Sequence, residues 1–398
     1  MPDRTRRDFL AASLAAVAAP LHKLEAAVKP VRIKDVELFD VRLPASKTEI
    51  AAGVMAGYPV AKVVTDAGVN GYSFAGPGAG ELAKVRALLN GKDLFAVEQH
   101  LKNGLLAYGG VEHAIWDAIG KIANQPVARL LGGSAASVRP YLTCVWNGPA
   151  DQQHVPYKDQ AAMALKIRNA GFKGMKIRVW RPNPMDDVEA CKEILAATGK
   201  DFALMFDRTA QAPRDMSGQA IWDYETGLKV ARGLQEAGAY WLEEPYARED
   251  YQTPAKLAAA VDIPITGGEG YNGIEPYRQC LLNRTYDILQ PDGRGAGGIL
   301  ACRKVGAMAE AFHVPCILHG SMGLMVAGWI QASLAIGSPW QELALVTPPL
   351  LPEEQWAPAL KLLSSDRLFT IRDGELLAPE YPGLGLDINE EAVAKYRV

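Results

Sequence analysis

The sequence has no apolar run near the ~20 residues that a membrane-spanning helix needs, so no membrane span is expected. It has no basic excess either. Its 42 Lys and Arg stand against 45 Asp and Glu, a net charge of −3, which excludes the electrostatic footprint of a nucleic-acid binder. Cysteine is scarce and odd in number. Cys144, Cys191, Cys280, Cys302 and Cys316 show neither metal-ligand spacing nor the even count of a disulfide framework, and read as buried thiols. What remains is ordinary globular composition, 49% apolar and 22% charged. A length of 398 residues holds two domains or one large barrel with additions.

Residues 1–28 differ from the rest. Arg6-Arg7 precedes an uncharged Ala/Leu/Val stretch ending near Ala19. Its apolar part, about 11 residues, suits a signal h-region and is too short to span a bilayer. Paired arginines before it resemble a twin-arginine export signal. The plain alternative is the basic start of an amphipathic helix. Ala11 to Ala19 has no polar face, which favours the signal and a periplasmic or otherwise exported protein. Ala16-Val17-Ala18 offers a cleavage site.

Residues 29–137 read as a small α+β domain. Val31, Ile33, Val36, Leu38, Val41 and Leu43 mark a half-buried strand. Val60–Thr65 and Val69–Phe74 flank Asp66-Ala67-Gly68 as a hairpin. Between them, Ser46 to Gly57 reads as a mobile loop that closes over a ligand. Val111, Ala114, Ile115, Ala118, Ile119 and Ile122 share one helical face. From Val138 short apolar strands alternate with helices. Strands are expected at 141–146, 175–179, 203–207, 240–243, 265–269, 287–292, 316–319 and 341–345. That interval argues a closed parallel barrel over 138–365, with an open doubly wound sheet as the alternative. Residues 366–398 are hairpin-like and are expected to return to the N-terminal domain.

Three carboxylates end three of these strands: Asp207, Glu243 and Glu269, at intervals of 36 and 26 residues. A βαβ step takes about 30 residues, and barrel active sites lie at the C-terminal strand ends. Strands about 4.8 Å apart bring three such carboxylates onto one hard divalent cation, Mg²⁺ by expectation. Lys176 and Arg178, at i and i+2, point to one face and suit a negatively charged substrate, although strand-end cations are commonly only solvated. Asp292 and His319 end the sixth and seventh strands, one βα unit apart. An Asp on one ring nitrogen fixes the tautomer and leaves the other as a base. The remaining histidines fall in the leader (His22), on helices (His100, His113), in a loop (His154) or ahead of a strand (His313). Glu342 begins the eighth strand and is expected to face the mouth.

This constellation resembles the enolase superfamily, in its mandelate racemase subgroup. The segments that carry the resemblance run from Gly171 to Arg178, from Trp241 to Pro245, and through Gln290-Pro291-Asp292 with Gly297-Gly298-Ile299. Pro382-Gly383-Leu384-Gly385 and the helix Gly110 to Asp117 complete the set. The resemblance implies a modified (β/α)7β barrel closed by the 29–137 capping domain. It implies Mg²⁺ on Asp207, Glu243 and Glu269, with Glu244 in support. It also implies abstraction of a proton α to a carboxylate by a Lys or His base, with Lys176 as electrostatic clamp and a protonated Glu342 donating to the substrate carboxylate. Two departures stand out. The family's Lys-x-Lys is Lys176-Ile177-Arg178, and arginine is not a base in proteins, so Arg178 reads as a substrate clamp or a charge that shapes neighbouring groups. Its Asp-x-Asn is Asp207-Arg208-Thr209, which places Thr209 at a substrate-facing position.

With Asp292–His319 as the clear base, a one-base reaction fits. The expectation is a hydro-lyase that dehydrates a sugar acid to a 2-keto acid. A racemase, epimerase or cycloisomerase on the same scaffold is the nearest rival. A two-carboxylate glycosidase is disfavoured, because the strand facing Glu243 ends in His319. A non-catalytic sugar-acid binder is disfavoured by the complete set of carboxylates. The expected partner is a small carboxylate, not nucleic acid; homo-oligomer formation is left open.

Overall fold

Alternation of apolar and polar residues builds the first sheet. β1 (Ile33–Arg42), β2 (Gly57–Thr65) and β3 (Asn70–Ser73) pair antiparallel, with Leu38 opposite Ala61 and Ala61 opposite Ser73. Gly68, at φ +76°, turns the hairpin between β2 and β3. Helices Leu82–Leu89, Val97–Lys102 and Gly109–Ala123 bury Val85, Leu89, Val111, Ile115 and Ala118 against Val36, Leu38 and Val63. The computed structural model describes residues 29–146 and 153–398. The leader 1–28, with the export signal read from Arg6-Arg7, lies outside the described residues.

Segment 46–57 holds a short helix, Lys47–Ala51, whose Ser46 and Glu49 form a capping box. It is docked on the barrel side. Met55 N–H donates to the Gln355 carbonyl at 2.8 Å, and Gly53, at φ +98°, leaves no room for a Cβ beside Thr347.

The second sheet is parallel: β12 (Trp340–Val346), β4 (Ser137–Cys144), β5 (Gly174–Arg178), β6 (Ala203–Asp207), β9 (Trp241–Glu243), β10 (Ile265–Gly267) and β11 (Ile288–Leu289). The expected seventh strand, 316–319, is present as isolated bridges, Leu289 to Cys316 and Asp292 to His319. Ser321 then bridges Leu343, which closes the barrel. Between β6 and β9 a small hairpin, β7 (Ala210–Gln211) and β8 (Arg214–Asp215), stands beyond the strand ends. The five cysteines are free and buried.

Period-two alternation sorts the barrel interior into layers. Tyr141, Met205, Trp241, Ile317 and Trp340 form one buried apolar cluster. Two residues further along the same strands stand Thr143, Asp207, Glu243, His319 and Glu342. An aromatic plug therefore lies beneath a polar layer, at the end where barrel chemistry is found.

The C-terminal segment divides, which differs from the expected return to the N-terminal domain as a whole. β13 (Ile371–Arg372) and β14 (Glu375–Leu377) form a hairpin that extends β4, with Leu376 opposite Val138. From Gly383 the chain does return to the N-terminal domain: Gly383 N–H donates to the Gln125 carbonyl at 3.0 Å, Glu390 lies 3.6 Å from Lys62, and Val398 N–H donates to the Asp40 carbonyl at 2.9 Å.

Helix Gly109–Ala123 joins the two bodies. Glu112 is fully buried. It accepts Ile299 N–H at 2.8 Å, Leu300 N–H at 3.0 Å and the Trp116 indole at 2.7 Å. It thus caps the N-terminus of barrel helix Ile299–Ala311 from another domain. His113 packs edge-on against Trp329, ring centres 5.0 Å apart. Asp117 accepts Tyr72 N–H and Leu384 N–H at 2.8 and 2.9 Å. Glu112→Ala strips these buried donors of their acceptor, and is expected to lower stability by about 2–4 kcal/mol. A urea titration checks it; a midpoint equal to wild type would show the joint to be held by apolar packing alone.

Candidate active site

The parallel register sets Arg178, Asp207 and Glu243 side by side across β5, β6 and β9. Ligand oxygens of Asp207, Glu243 and Glu269 all lie within 4.8 Å of one another. Each has a cation beside it. Lys176 Nζ is 2.8 and 2.9 Å from the two Glu243 oxygens. Arg178 Nη1 contacts Asp207 Oδ2, and Arg248 Nη2 contacts Glu269 Oε1.

Backbone turns at the strand ends aim these groups. Thr209 (φ +48°) and Glu244 (φ +43°) are left-handed, an uncommon state for non-glycine residues. At Glu244 the turn sends consecutive glutamates to different sites. Glu243 faces the barrel axis and also accepts from Gln290 Nε2 at 2.9 Å. Glu244 accepts Arg248 Nε at 2.8 Å and Gly268 N–H at 3.3 Å.

His319 Nδ1 lies 3.1 Å from Asp292 Oδ2, while Arg294 N–H and Gly295 N–H hold Asp292 Oδ1, each at 2.8 Å. The other ring nitrogen, Nε2, is 3.0 Å from Glu269 Oε2. Burial pushes the imidazole down, but the Glu269 charge and the Asp292 bond outweigh it and hold it well above its usual value. The His319 side chain is 24% exposed, against 0% for Lys176, Asp207 and Glu243.

Several expectations change. Lys176 does not face the mouth as a free clamp. It is enclosed by Glu243, by Glu342 at 3.0 Å and by Asp207 at 3.6 Å. Burial pulls it down, yet these carboxylates hold it protonated, well above the usual lysine range. Arg178 is tied to Asp207 and donates to Thr209 Oγ1 at 2.5 Å; of its two expected roles, a substrate clamp or a charge that shapes neighbouring groups, these contacts suit the second. Thr209 is buried and donates back to Asp207 Oδ1 at 2.8 Å; its hydroxyl is committed to the protein, not to a substrate. Glu342, expected as a protonated donor, accepts hydrogen bonds from the Thr143 hydroxyl and Gly320 N–H. Burial raises it, but the charges of Lys176 and His319, with bonds from Thr143 and Gly320 N–H, hold it well below the usual carboxylate range.

Sequence reasoning passed over Arg248 and Arg208. Arg208 is buried, with Asp215 at 2.6 Å, the Val179 carbonyl at 2.7 Å and the Trp222 ring at 4.6 Å. It anchors the β7–β8 hairpin. The signal for it was a charged residue between Asp207 and Thr209. Arg248 lies three residues past Pro245 in an ordinary charged loop, and no pattern marked it.

A divalent cation fits these residues. The polar layer sets six carboxylates (Asp207, Glu243, Glu244, Glu269, Asp292 and Glu342) against three permanent cations (Lys176, Arg178 and Arg248) and one imidazole. Glu269 Oε2 is buried without a hydrogen-bond partner, despite its ion-pair distance to His319.

Comparison with known proteins agrees with this geometry. The family model described as Enolase C-terminal domain-like matches residues 158–392. Arabinonate dehydratase of Saccharolobus solfataricus is 30% identical over 295 residues, 72% of this chain and 71% of its own. The chain belongs to the enolase superfamily, in its mandelate racemase subgroup. D-galactarolactone cycloisomerase of Agrobacterium fabrum is 28% identical over 297 residues, 74% of each chain. The crystal structure of D-glucarate dehydratase from Agrobacterium tumefaciens complexed with magnesium superposes with a TM-score of 0.77 at 26% identity, covering 92% of this chain and 99% of that one. Its fold is thus the superfamily's barrel with an N-terminal capping domain.

Lys176 is the cation that three buried carboxylates share. In metal-free protein, Lys176→Met is expected to cost roughly 3–5 kcal/mol, the usual penalty for orphaning a buried charge. Thermal unfolding with a chelator present measures it. An unchanged midpoint would mean that the carboxylates around Lys176 are neutral in the free protein.

Proposed function

We propose that the protein is a Mg²⁺-dependent hydro-lyase that dehydrates a sugar acid to a 2-keto acid. One observation carries the reading: among the described site residues, His319 alone is placed to exchange a proton. Arginine does not deprotonate, so Arg178 is no base, and Lys176 is held charged within three carboxylates. The dehydratase names of several relatives support the choice of reaction.

Asp207, Glu243 and Glu269 would hold Mg²⁺, which when bound supplies positive charge to the substrate carboxylate and so acidifies its α-proton. Asp292, fixed by two backbone N–H groups, accepts a hydrogen bond from Nδ1–H, which leaves Nε2 of the neutral ring as the proton-accepting atom. His319 Nε2 removes the α-proton. The C–H electron pair becomes the C=C bond, the β C–O bond breaks, and the hydroxyl leaves as water with the proton that His319 returns. The enol then tautomerises to the 2-keto acid. Lys176 and Arg178 keep Glu243 and Asp207 ionised and in place. A cycloisomerase on the same base is the second reading, favoured by the likeness to D-galactarolactone cycloisomerase; a racemase or epimerase would need a second base.

A library of aldonates, aldarates and uronates with Mg²⁺, read for 2-keto acids, tests the reaction. His319→Asn is expected to lower turnover by roughly 10²–10⁴-fold while retaining Mg²⁺ binding. Epimerisation at C2 without loss of water in D₂O would sink the lyase reading. Glu243→Gln is expected to lose calorimetric Mg²⁺ binding, since one missing carboxylate undercompensates the dication.

We further propose export, from the Arg6-Arg7 leader. The mature protein is expected outside the cytoplasm, shortened by roughly 18 to 28 residues; a full-length cytoplasmic product would overturn this.

A further inference from the structure

Three carboxylates point at one another, and three cations stand behind them. Two of those cations, Lys176 and Arg178, sit on one strand. The third, Arg248, comes from the loop after β9, and it is built in from four sides. Its Nε donates to Glu244 Oε2 at 2.8 Å, and Nη2 lies 2.7 Å from the same oxygen. Nη2 also contacts Glu269 Oε1. The Tyr271 hydroxyl donates to the Arg248 carbonyl at 2.5 Å. Gly270 lies against the guanidinium, and any Cβ there would overlap it. Glu244 itself has a left-handed backbone, at φ +43°.

Glu269 needs such a support more than its two fellows do. Asp207 and Glu243 are fully buried, each with further bonds: Asp207 from Thr209, Glu243 from Gln290 and Trp241. Glu269 is at the open side of the site, 12% exposed, and it follows a glycine pair, Gly267-Gly268, with Gly268 at φ +117°. Among the described residues its hydrogen-bonded side-chain partner is Arg248, at Oε1; Oε2 has no hydrogen bond and lies at ion-pair distance, 3.0 Å, from His319 Nε2. A guanidinium presents several N–H groups in one plane and bridges two carboxylates at fixed geometry, which a lysine ammonium does not.

We propose that Arg248 is a positioning residue for Glu269: anchored on Glu244 and seated in the gap left by Gly270, it fixes one Glu269 oxygen so that the other faces Asp207, Glu243 and His319. This rests on the reading of Glu269 as a Mg²⁺ ligand. It assigns Glu244 and Gly270 a joint purpose as the seat of that arginine. Its rival is that Arg248 only offsets negative charge. The two differ in sign, because deleting a neighbouring cation tightens Mg²⁺ binding, whereas deleting an orienting partner weakens it.

The experiment is calorimetric Mg²⁺ titration of wild type, Arg248→Leu, Arg248→Lys and Gly270→Ala, with Glu243→Gln as control. Gly270→Ala keeps every charge and displaces the guanidinium, so it isolates geometry. Arg248→Leu and Gly270→Ala are each expected to weaken Mg²⁺ binding by roughly tenfold or more, the usual loss for an outer partner of a metal ligand. Arg248→Lys keeps the charge and is expected to recover only part. Activity should return at saturating Mg²⁺, which a folding defect would not allow. Tighter or unchanged binding in Arg248→Leu overturns the proposal, as does wild-type affinity in Gly270→Ala. If Glu243→Gln binds Mg²⁺ as wild type does, the metal-site reading itself fails, and that failure is distinct from one confined to the Arg248 and Gly270 variants.

Discussion

Packing several carboxylates inside a barrel is the constraint from which the rest of this site follows. Oxygens of Asp207, Glu243 and Glu269 within 4.8 Å of one another, out of water, repel strongly at the low effective dielectric of an interior. Fixed positive charge on the far side of each one answers this. Lys176 pairs with Glu243, Glu342 and Asp207, Arg178 with Asp207, and Arg248 with Glu269 and Glu244. The strand register makes the arrangement possible, because Arg178, Asp207 and Glu243 are true neighbours across β5, β6 and β9. The apolar layer beneath, with Tyr141, Trp241 and Trp340, closes the floor and keeps the charges at one end.

The capping domain answers a different need. A barrel alone leaves its polar layer open to water, which weakens every electrostatic interaction there. The helix Gly109–Ala123 and the segment at residues 46–57 bring the small domain against the barrel. The helix does so through buried polar groups that meet barrel backbone: Glu112 at Ile299 and Leu300, His113 at the Gly293 carbonyl at 3.2 Å. Gly293 and Ile299 flank the turn that follows Asp292. The joint between the domains and the partner of the proposed base are thus built from the same few residues of chain.

Much of this was legible because it is periodic. Alternation located the strands, and the βα interval placed Asp207, Glu243, Glu269, Asp292 and His319 at strand ends, where the structure has them. Side-chain partnership is not periodic, and there the reading went astray. Lys176 and Arg178 were expected to meet a substrate, but nothing in the i, i+2 pattern tells a cation that faces solvent from one enclosed by carboxylates on β9 and β12. Thr209 was assigned by its position next to Asp207, and the left-handed turn that folds its hydroxyl back has no signature in a threonine. Arg248 carried no signal at all, since its meaning depends on Glu244 turning away from Glu243. The seventh strand was placed correctly, yet it pairs only through isolated bridges.

The same pairing that stabilises the carboxylates shapes the chemistry the site can do. A lysine in place of Arg178, at the end of strand β5, would be able to shed a proton. An arginine there cannot, and its contacts with Asp207 and Thr209 make it part of the frame. Lys176, the remaining amine, is surrounded on several sides and inaccessible. On the proposed reading, proton transfer falls to the opposite side, where His319 is the more exposed member of the layer and its Nδ1 lies 3.1 Å from Asp292. Charge neutralisation and the one-base reaction proposed for this site thus rest on a single arrangement.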